Sequence, residues 1–261
     1  MNQFCDKVSR HHLKPLHVKH RYLPPMRKTF FMLIIVAPLL NTGCNSCVEG
    51  NGPRVSRFTP TDSVGEVILD MVSDVLVKVD SARDNIIEVI AQEEIQPVVM
   101  ANNDQGLLTL SLDECLENNQ PILFELTLNE ANRFVINSAG LIENERILKQ
   151  PKVWFTNRGL GDIDFAVDSD EIISEIRSSG NMILSGECNR MDFLSTSSGD
   201  LRAYNLVVDT LVLNIFGSTV CDVYATQYLE VNFFSSGRVN YRGNPKEVKV
   251  NGEGQVTQTS I

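Results

Sequence analysis

Hydrophobic and polar residues alternate along much of the second half of the chain. In the stretches 229–233 and 246–250, apolar residues are separated by single polar ones. Alternation with a period of two places successive side chains on opposite faces of a β-strand, whereas an amphipathic helix requires apolar spacings of three and four. The pattern therefore predicts strands whose apolar side chains point inward and whose polar side chains point outward.

A short phrase recurs between these strands. It consists of Ser, Thr or Gly, then any residue, a central residue, any residue and an apolar residue. The central residues are Gly140, Gly161, Gly180, Gly199, Cys221, Gly237 and Gly254, and they lie 21, 19, 19, 22, 16 and 17 residues apart. A fixed phrase with a period near 20 is typical of a solenoid in which each copy forms one rung. We expect glycine at the centre because sharp bends often require positive φ.

The columns of the aligned copies support the same fold. The residue two places after the centre is apolar in every copy, and the residue six places before it is apolar in six of the seven. The predicted fold is all-β, a single-stranded right-handed parallel β-helix (solenoid) with rungs of about 20 residues. An antiparallel sandwich of regular hairpins is the alternative, although sandwiches rarely reuse one turn phrase seven times.

The earlier half of the chain is less regular but also contains strand patterns. Strands are predicted at 66–69, 75–79, 86–91, 98–101, 107–112 and 122–128. Gly106, after Asn103-Asp104-Gln105, indicates a tight hairpin turn. We expect these strands to continue the solenoid and cap its open end, because a terminal rung must cover core that would otherwise be exposed.

Several stretches resemble the head GIN domain family of putative auto-transporter adhesins. Besides the repeated turns, the resemblance lies in residues 72–77, 103–110, 239–246 and 250–254, and it extends over about 58 to 258. This resemblance implies a β-helix similar to pectin lyases, no recognisable catalytic residues and a role in cell adhesion.

A secretory signal precedes this region. Met26-Arg27-Lys28 is followed by an apolar run at 29–40 and then by Gly43 and Cys44. A basic start, an apolar run and a small residue before the cleavage point make a signal peptide, and Gly-Cys resembles a bacterial lipobox. We predict a lipoprotein signal peptide at 26–43 and lipidation of Cys44. A transmembrane anchor is the alternative, but the run is shorter than the roughly 20 residues that span a bilayer.

These signals divide the chain into four parts. Residues 1–25 are a basic preface with no structural role, since translation is expected to begin at Met26. The signal peptide at 26–43 is followed by a tether at 44–57, where Gly and Pro interrupt regular structure, and by the β-solenoid domain at 58–258. The expected location is the bacterial cell envelope, with the lipid in the outer membrane and the domain on its periplasmic or surface face.

Histidine content and charge exclude several classes of function. All four histidines, His11, His12, His17 and His20, lie in the preface, so the mature chain has no His-dependent triad and no His-ligated zinc. From residue 44 onward there are 16 Lys and Arg against 32 Asp and Glu, a formal charge of −16. Such a surface repels phosphate backbones, and we expect no nucleic-acid partner.

Carboxylates at the turns are the remaining candidates for chemistry. Asp162, Asp200 and Asp222 each follow a central residue, so stacked rungs would align them in an acidic ladder. Two carboxylates can hydrolyse a glycoside without histidine, and a column of carboxylates suits calcium. The alternative, which we favour, is that each Asp satisfies backbone N–H groups at its turn. We therefore expect no catalytic residue, no metal and no cofactor.

Other side chains add less. Cys47, Cys115, Cys188 and Cys221 allow a disulfide that spacing cannot assign, and Cys221 is expected to be a buried small residue at a Gly position. No stripe of exposed aromatic residues, which would favour sugar binding, is evident.

The predicted function is that of an envelope-anchored binding or adhesion module without catalytic activity. Its partner would be an unidentified glycan or an envelope or surface protein, and it would contact the membrane through its lipid anchor. A carbohydrate-active enzyme similar to pectin lyases, working through the turn carboxylates, is the alternative.

Overall fold

The computed structural model describes residues 47–79 and 84–260. In chain order the strands are β1 (Val48–Glu49), β2 (Arg54–Pro60), β3 (Glu66–Leu69), β4 (Ser73–Val79), β5 (Ile86–Gln92), β6 (Val99–Asp104), β7 (Leu107–Leu112), β8 (Leu116–Glu117), β9 (Leu123–Leu128), β10 (Arg133–Ile136), β11 (Gly140–Asn144), β12 (Leu148–Lys149), β13 (Lys152–Asn157), β14 (Asp162–Ile176), β15 (Met182–Ser195), β16 (Leu201–Ile215), β17 (Val220–Phe233), β18 (Arg238–Arg242), β19 (Glu247–Asn251) and β20 (Gln255–Gln258). A 3-10 helix, Glu93–Val98, joins β5 to β6.

The strands form a β-solenoid of about 7 turns with rungs of ~19 residues. From β10 to β20 every pairing of the described strands is parallel. The predicted solenoid is therefore confirmed, and the alternative of an antiparallel sandwich is wrong. Each rung contributes to two long parallel sheets. Face A contains β3, β7, β10, β13, β19 and the second halves of β14 to β17, and face B contains β4, β9, β11, β18, β20 and the first halves of β14 to β17.

The core fills the space between the faces with inward columns of apolar side chains. One column on face A runs Phe134, Phe155, Ser174, Phe193, Leu213, Val231 and Val250. Phe134 and Phe155 pack together with Phe165 of face B, with pairwise ring-centroid distances of 4.6 to 5.9 Å. All three rings are at most 1% exposed, so the predicted inward direction of the apolar positions is confirmed.

Face A passes into face B through a four-residue turn that repeats in seven rungs. The turns are 70–73, 137–140, 158–161, 177–180, 196–199, 216–219 and 234–237, and we call the surface they form the turn edge. Thr219, and not Cys221, occupies the last turn position in the sixth of them. Cys221 pairs with Leu201 and Val239 in the next inward column and is fully buried, so its predicted Gly position is wrong by two residues.

Close stacking explains the glycines at this last turn position. Gly140 has positive φ (133°), but Gly161, Gly180, Gly199, Gly237 and Gly254 do not, so the expected conformational reason is wrong for those five. A Cβ at Gly180 would lie 2.0 Å from the carbonyl oxygen of Gly161, and a Cβ at Gly161 would lie 2.3 Å from that of Gly140. Consecutive turns therefore touch backbone to backbone, and a side chain would separate the rungs.

The first rungs do not follow chain order. β3 pairs with β7 on one side and β10 on the other, and β4 likewise lies between β9 and β11. The rung at 66–79 is thus inserted between rungs formed by later residues.

Antiparallel strands close this end of the solenoid. The sequence predicted a cap formed by the earlier strands but not their antiparallel pairing. β6 pairs with β7 through a turn in which Gln105 and Gly106 both have positive φ, while β5 and β2 extend face B beyond β9. The 3-10 helix between β5 and β6 buries Ile95 and Val98 against the core. The predicted hairpin turn is confirmed.

The segment predicted as a tether is attached to this cap in its described part. Cys47 forms a disulfide with Cys115, β1 pairs with β8, and β2 begins at Arg54. Cys44, the signal peptide and the preface lie outside the described residues. In the part of the chain that is described, no helix is long and apolar enough to cross a membrane.

The opposite end of the solenoid is open. Among the described strands, β19 pairs with β17 alone and β20 with β18 alone. Val248 and Val250, which continue inward columns, are 40% and 45% exposed there.

Candidate functional site

Carboxylate and amide side chains follow the turn edge at the first position of face B. Asp74, Asp162, Asn181 and Asp200 share this position. The Oδ1 atom of Asp162 accepts a hydrogen bond from the backbone N–H of Asn181 (2.7 Å), and Oδ1 of Asp200 accepts one from Val220 (3.0 Å). Asp74 and Asn181 make the same contact with the following rung, at 3.1 and 3.2 Å. Each side chain therefore links one rung to the backbone of the next.

Asp222 does not belong to this column. It pairs with Arg202 and Asn240, two residues further into face B, and its Oδ1 accepts a hydrogen bond from Nδ2 of Asn240 (2.8 Å). The acidic ladder predicted from the sequence is therefore wrong for Asp222, because the copy centred on Cys221 was shifted by two. Asp162 and Asp200 do share a column, with Asn181 between them.

This arrangement satisfies backbone groups and offers little to an acid–base mechanism. Burial raises the pKa of Asp164, and the negative charge of Asp162 raises it further. However, Oδ1 of Asp162 is already bound to the backbone N–H and the Nδ2 of Asn181. Within 47–79 and 84–260, no group of three or more His, Cys, Asp or Glu could hold a metal ion.

Aromatic side chains lie together at the turn edge, where the sequence showed no stripe. Phe216 and Phe234 begin consecutive turns, and their rings stack at a centroid distance of 4.0 Å with an interplanar angle of 2°. They are 48% and 62% exposed, so the stack, which we call the Phe pair, projects from the domain. Arg158, Arg177 and Thr196 occupy the same exposed position in the preceding three turns.

The Phe pair was missed because of the same error of register. With Cys221 as centre, Phe216 stands five places before it and Phe234 three places before Gly237. With Thr219 as centre, each Phe stands three places before the central residue of its own copy. A cavity of about 280 Å³ lies on the same turns and is lined by Ser218, Ser236, Arg238 and Gln255.

Two other aromatic side chains of the outer surface, Trp154 and Tyr204, have cations over their rings. The Trp154 ring has the Arg133 guanidinium 4.9 Å and the Lys152 ammonium 5.0 Å from its centroid, beside a cavity of about 720 Å³. Arg242 lies 4.1 Å from the centroid of Tyr204. Cation–π contacts of this kind occupy the ring faces that a ligand would use.

In the part of the chain that the structure describes, the two free thiols lie in environments that disfavour nucleophilic chemistry. Cys188 and Cys221 are buried, and burial raises the pKa of both, to about 11 for Cys188. The nucleophilic form of cysteine is the thiolate, which these environments disfavour.

Comparisons with known proteins agree with the fold. A family model described as "Putative auto-transporter adhesin, head GIN domain" matches residues 69–245. Solved structures similar to this chain include a putative adhesin from Bacteroides fragilis NCTC 9343 (TM-score 0.75, 16% identity, covering 82% of this chain and 100% of that one). A putative adhesin and a putative lipid binding protein, both from Parabacteroides distasonis ATCC 8503, each have a TM-score of 0.66 and 20% identity, covering 81% of this chain and 99% of theirs. At these identities the structures show the fold alone. No curated protein matches the chain.

Proposed function

The chain belongs to the head GIN domain family, described as putative auto-transporter adhesins, and from this premise we propose that it is a non-catalytic binding module of the bacterial envelope. The turn edge is its binding surface, and the Phe pair is the centre of that surface. The envelope anchor is a lipid on Cys44.

The observation that carries this proposal is the exposure of the Phe pair. Two stacked rings bury each other's inner faces, yet 48% of Phe216 and 62% of Phe234 remain exposed to water. Exposed aromatic clusters of this kind commonly mark interaction surfaces, and aromatic side chains contribute much of the binding energy of interfaces. The rungs hold both rings at a fixed spacing, so little entropy is lost when a partner covers them.

The polar groups around the pair favour binding over catalysis. The carboxylates of the neighbouring column, including Asp162 and Asp200, accept hydrogen bonds from the backbone of the next rung. The formal charge of −16 from residue 44 onward favours a neutral or basic partner. A glycan, or an envelope or surface protein, fits this chemistry.

The anchor rests on the signal at 26–43 and on the Gly43-Cys44 pair. Replacing Cys44 with Ala should release the protein from the membrane fraction or leave it unprocessed. Persistence of the Cys44→Ala protein in the membrane fraction, with unchanged partitioning into detergent, would contradict the anchor. The outer membrane is the proposed location, and separation of inner and outer membranes tests it.

The binding surface can be tested with a matched pair of variants. The full chain is screened against envelope and host glycans and against envelope proteins, and any partner found is titrated. The double variant Phe216→Ala/Phe234→Ala should weaken binding at least about tenfold, or roughly 1.4 kcal/mol. Phe58→Ala is the control, because Phe58 is 63% exposed but lies on β2, away from the turn edge. Equal binding by the two variants would contradict the proposed surface.

The rival function is that of a carbohydrate-active enzyme. A panel of glycosidase and lyase substrates, run beside the binding screen, distinguishes the two. Turnover of any polysaccharide that is lost in Asp200→Asn, with the fold intact by circular dichroism, would overturn the non-catalytic proposal.

A further inference from the structure

A cavity of about 530 Å³ lies at the beginning of the solenoid, next to the first turn of the turn edge. Its apolar walls come from Val72, Leu112, Leu116, Pro121 and Ile122. Ser73, Asp74, Asn119 and Gly140 line the rest of it. The volume is within the range of small-molecule sites, which are typically about 300–1,000 Å³ and mostly apolar.

The cavity exists because one turn is replaced by a loop. Leu69 and Asp74, which flank the four residues 70–73, pair with Leu110 and Leu123 of the neighbouring rung, which flank the twelve residues 111–122. The later turns touch backbone to backbone, with only 2.0 Å from a Cβ at Gly180 to the Gly161 oxygen. The loop cannot pack against 70–73 in that way, and the space between them stays open.

Ser73 has a hydroxyl that the fold does not satisfy. The residue is 5% exposed, and its Oγ has no hydrogen-bond partner. An unsatisfied buried polar atom costs about 1–3 kcal/mol, and such atoms are rare in native structures. Ser73 borders the cavity, whose mainly apolar lining favours a ligand with a hydrocarbon body.

The loop is tied to the beginning of the mature chain. Cys115 forms the disulfide with Cys47 at a Cα–Cα distance of 4.7 Å, and Leu116 pairs with Val48. Cys44 precedes Cys47 by three residues, which span at most about 10–11 Å. The chain length therefore allows a lipid on Cys44 to reach Leu116, which lines the cavity.

We propose that the cavity shelters one acyl chain of the lipid carried by Cys44. This inference rests on the proposed lipid anchor. It makes the anchor a part of the domain surface rather than a free tail.

Two cysteine variants test the occupancy. Val72 and Leu160 occupy the same position in two different turns and are 69% and 68% exposed. Of these two residues, only Val72 lines the cavity. Val72→Cys and Leu160→Cys are made in the full chain, each with Cys44 intact and with Cys44→Ser, and are expressed in a host that processes lipoproteins. Their maleimide labelling rates are compared in identical nonionic detergent. Acylation should slow labelling of Val72→Cys about tenfold or more, and should leave Leu160→Cys unchanged.

Intact mass measurement distinguishes failure of the proposed lipid anchor from failure of the proposed cavity occupancy. If Cys44 carries no lipid, the anchor and this inference both fail. If Cys44 carries lipid but Val72→Cys is labelled at the same rate with and without it, the inference fails and the anchor stands. Protection of Val72→Cys by added oleate alone, with no effect of acylation, would assign the cavity to a free fatty acid and would also overturn the inference.

Discussion

The two ends of the solenoid differ in how far they cover the apolar core. At the first end, β2, β5 and β6 add antiparallel strands, and a 3-10 helix buries Ile95. A disulfide ties the loop 111–122 to Cys47. At the last end, β19 and β20 have partners on one side only, and the valines that continue the core columns are exposed.

This difference shows how local the stability of a solenoid is. Each rung contacts only its neighbours. The contribution of a given residue type in one column to the free energy of unfolding therefore depends on its position along the axis. The capped end should resist opening as a unit, and the open end should fray rung by rung.

The disulfide should provide the largest single effect. Cys47→Ser or Cys115→Ser removes a link between residues 68 apart in sequence, which constrains the unfolded chain by about 3–4 kcal/mol. Hydrogen exchange should show faster opening of β1 and of the loop 111–122, with little change at β19. The double variant should match each single variant, and a loss larger at β19 than at the loop would contradict the described attachment.

Substitution of a turn glycine should cause the second largest loss of stability. Gly180→Ala places a Cβ 2.0 Å from the Gly161 oxygen, so we expect a loss of roughly 2–3 kcal/mol from overpacking. Gly65→Ala is the control, because a Cβ there would approach nothing closer than 3.9 Å, and it should change stability by less than about 0.5 kcal/mol. Urea denaturation measures both. Equal losses would contradict contact between the turns as the reason for glycine at position 180.

Two identical truncations in one column compare the interior with the open end. Val231 is fully buried and pairs with Val250, which is 45% exposed. Val231→Ala should cost about 2 kcal/mol, since it removes buried apolar surface and leaves a cavity, whereas Val250→Ala should cost about 0.5 kcal/mol or less. Similar losses in urea denaturation would indicate that the open end is covered in solution.

The smallest expected effect concerns Cys188 and Cys221, the free thiols among the described residues. The pKa of Cys188 is raised to about 11 by burial, and that of Cys221 is raised in the same direction. At pH 8 only about one Cys188 in a thousand would be thiolate, so labelling by a thiol reagent should be far slower than for an exposed cysteine and should accelerate as pH rises. Rapid labelling at pH 8 without denaturant would show that the central rungs open readily.

The strand pattern of the fold could be read from sequence because alternation depends only on which face is buried. The predicted strands at 66–69 and 107–112 coincide with β3 and β7. The pairing partners of these strands could not be predicted, because alternation indicates which face of a strand is buried and not which strand lies beside it. The insertion of 66–79 between later rungs was therefore not foreseen.

Prediction of the candidate site depended on how the sixth copy of the turn phrase is aligned, and the sequence allows two alignments. Gly217-Ser218-Thr219 and Thr219-Val220-Cys221 both fit the turn phrase, and only backbone pairing identifies Thr219 as the Gly position. That choice moves Asp222 out of the acidic column and brings Phe216 into line with Phe234. The disulfide between Cys47 and Cys115 also required the fold, since the four cysteines from Cys47 onward offer six possible pairs for a single disulfide.

The inserted rung has a consequence for the timing of assembly. A nascent chain emerges amino end first, yet β3 and β4 have both of their parallel neighbours in segments made later, at 107–128 and 133–144. Residues 66–79 must wait for them, whereas each rung after 152 can add directly to the one just completed. Because long-range pairing slows folding, the beginning of this protein is expected to be the last part of it to become native.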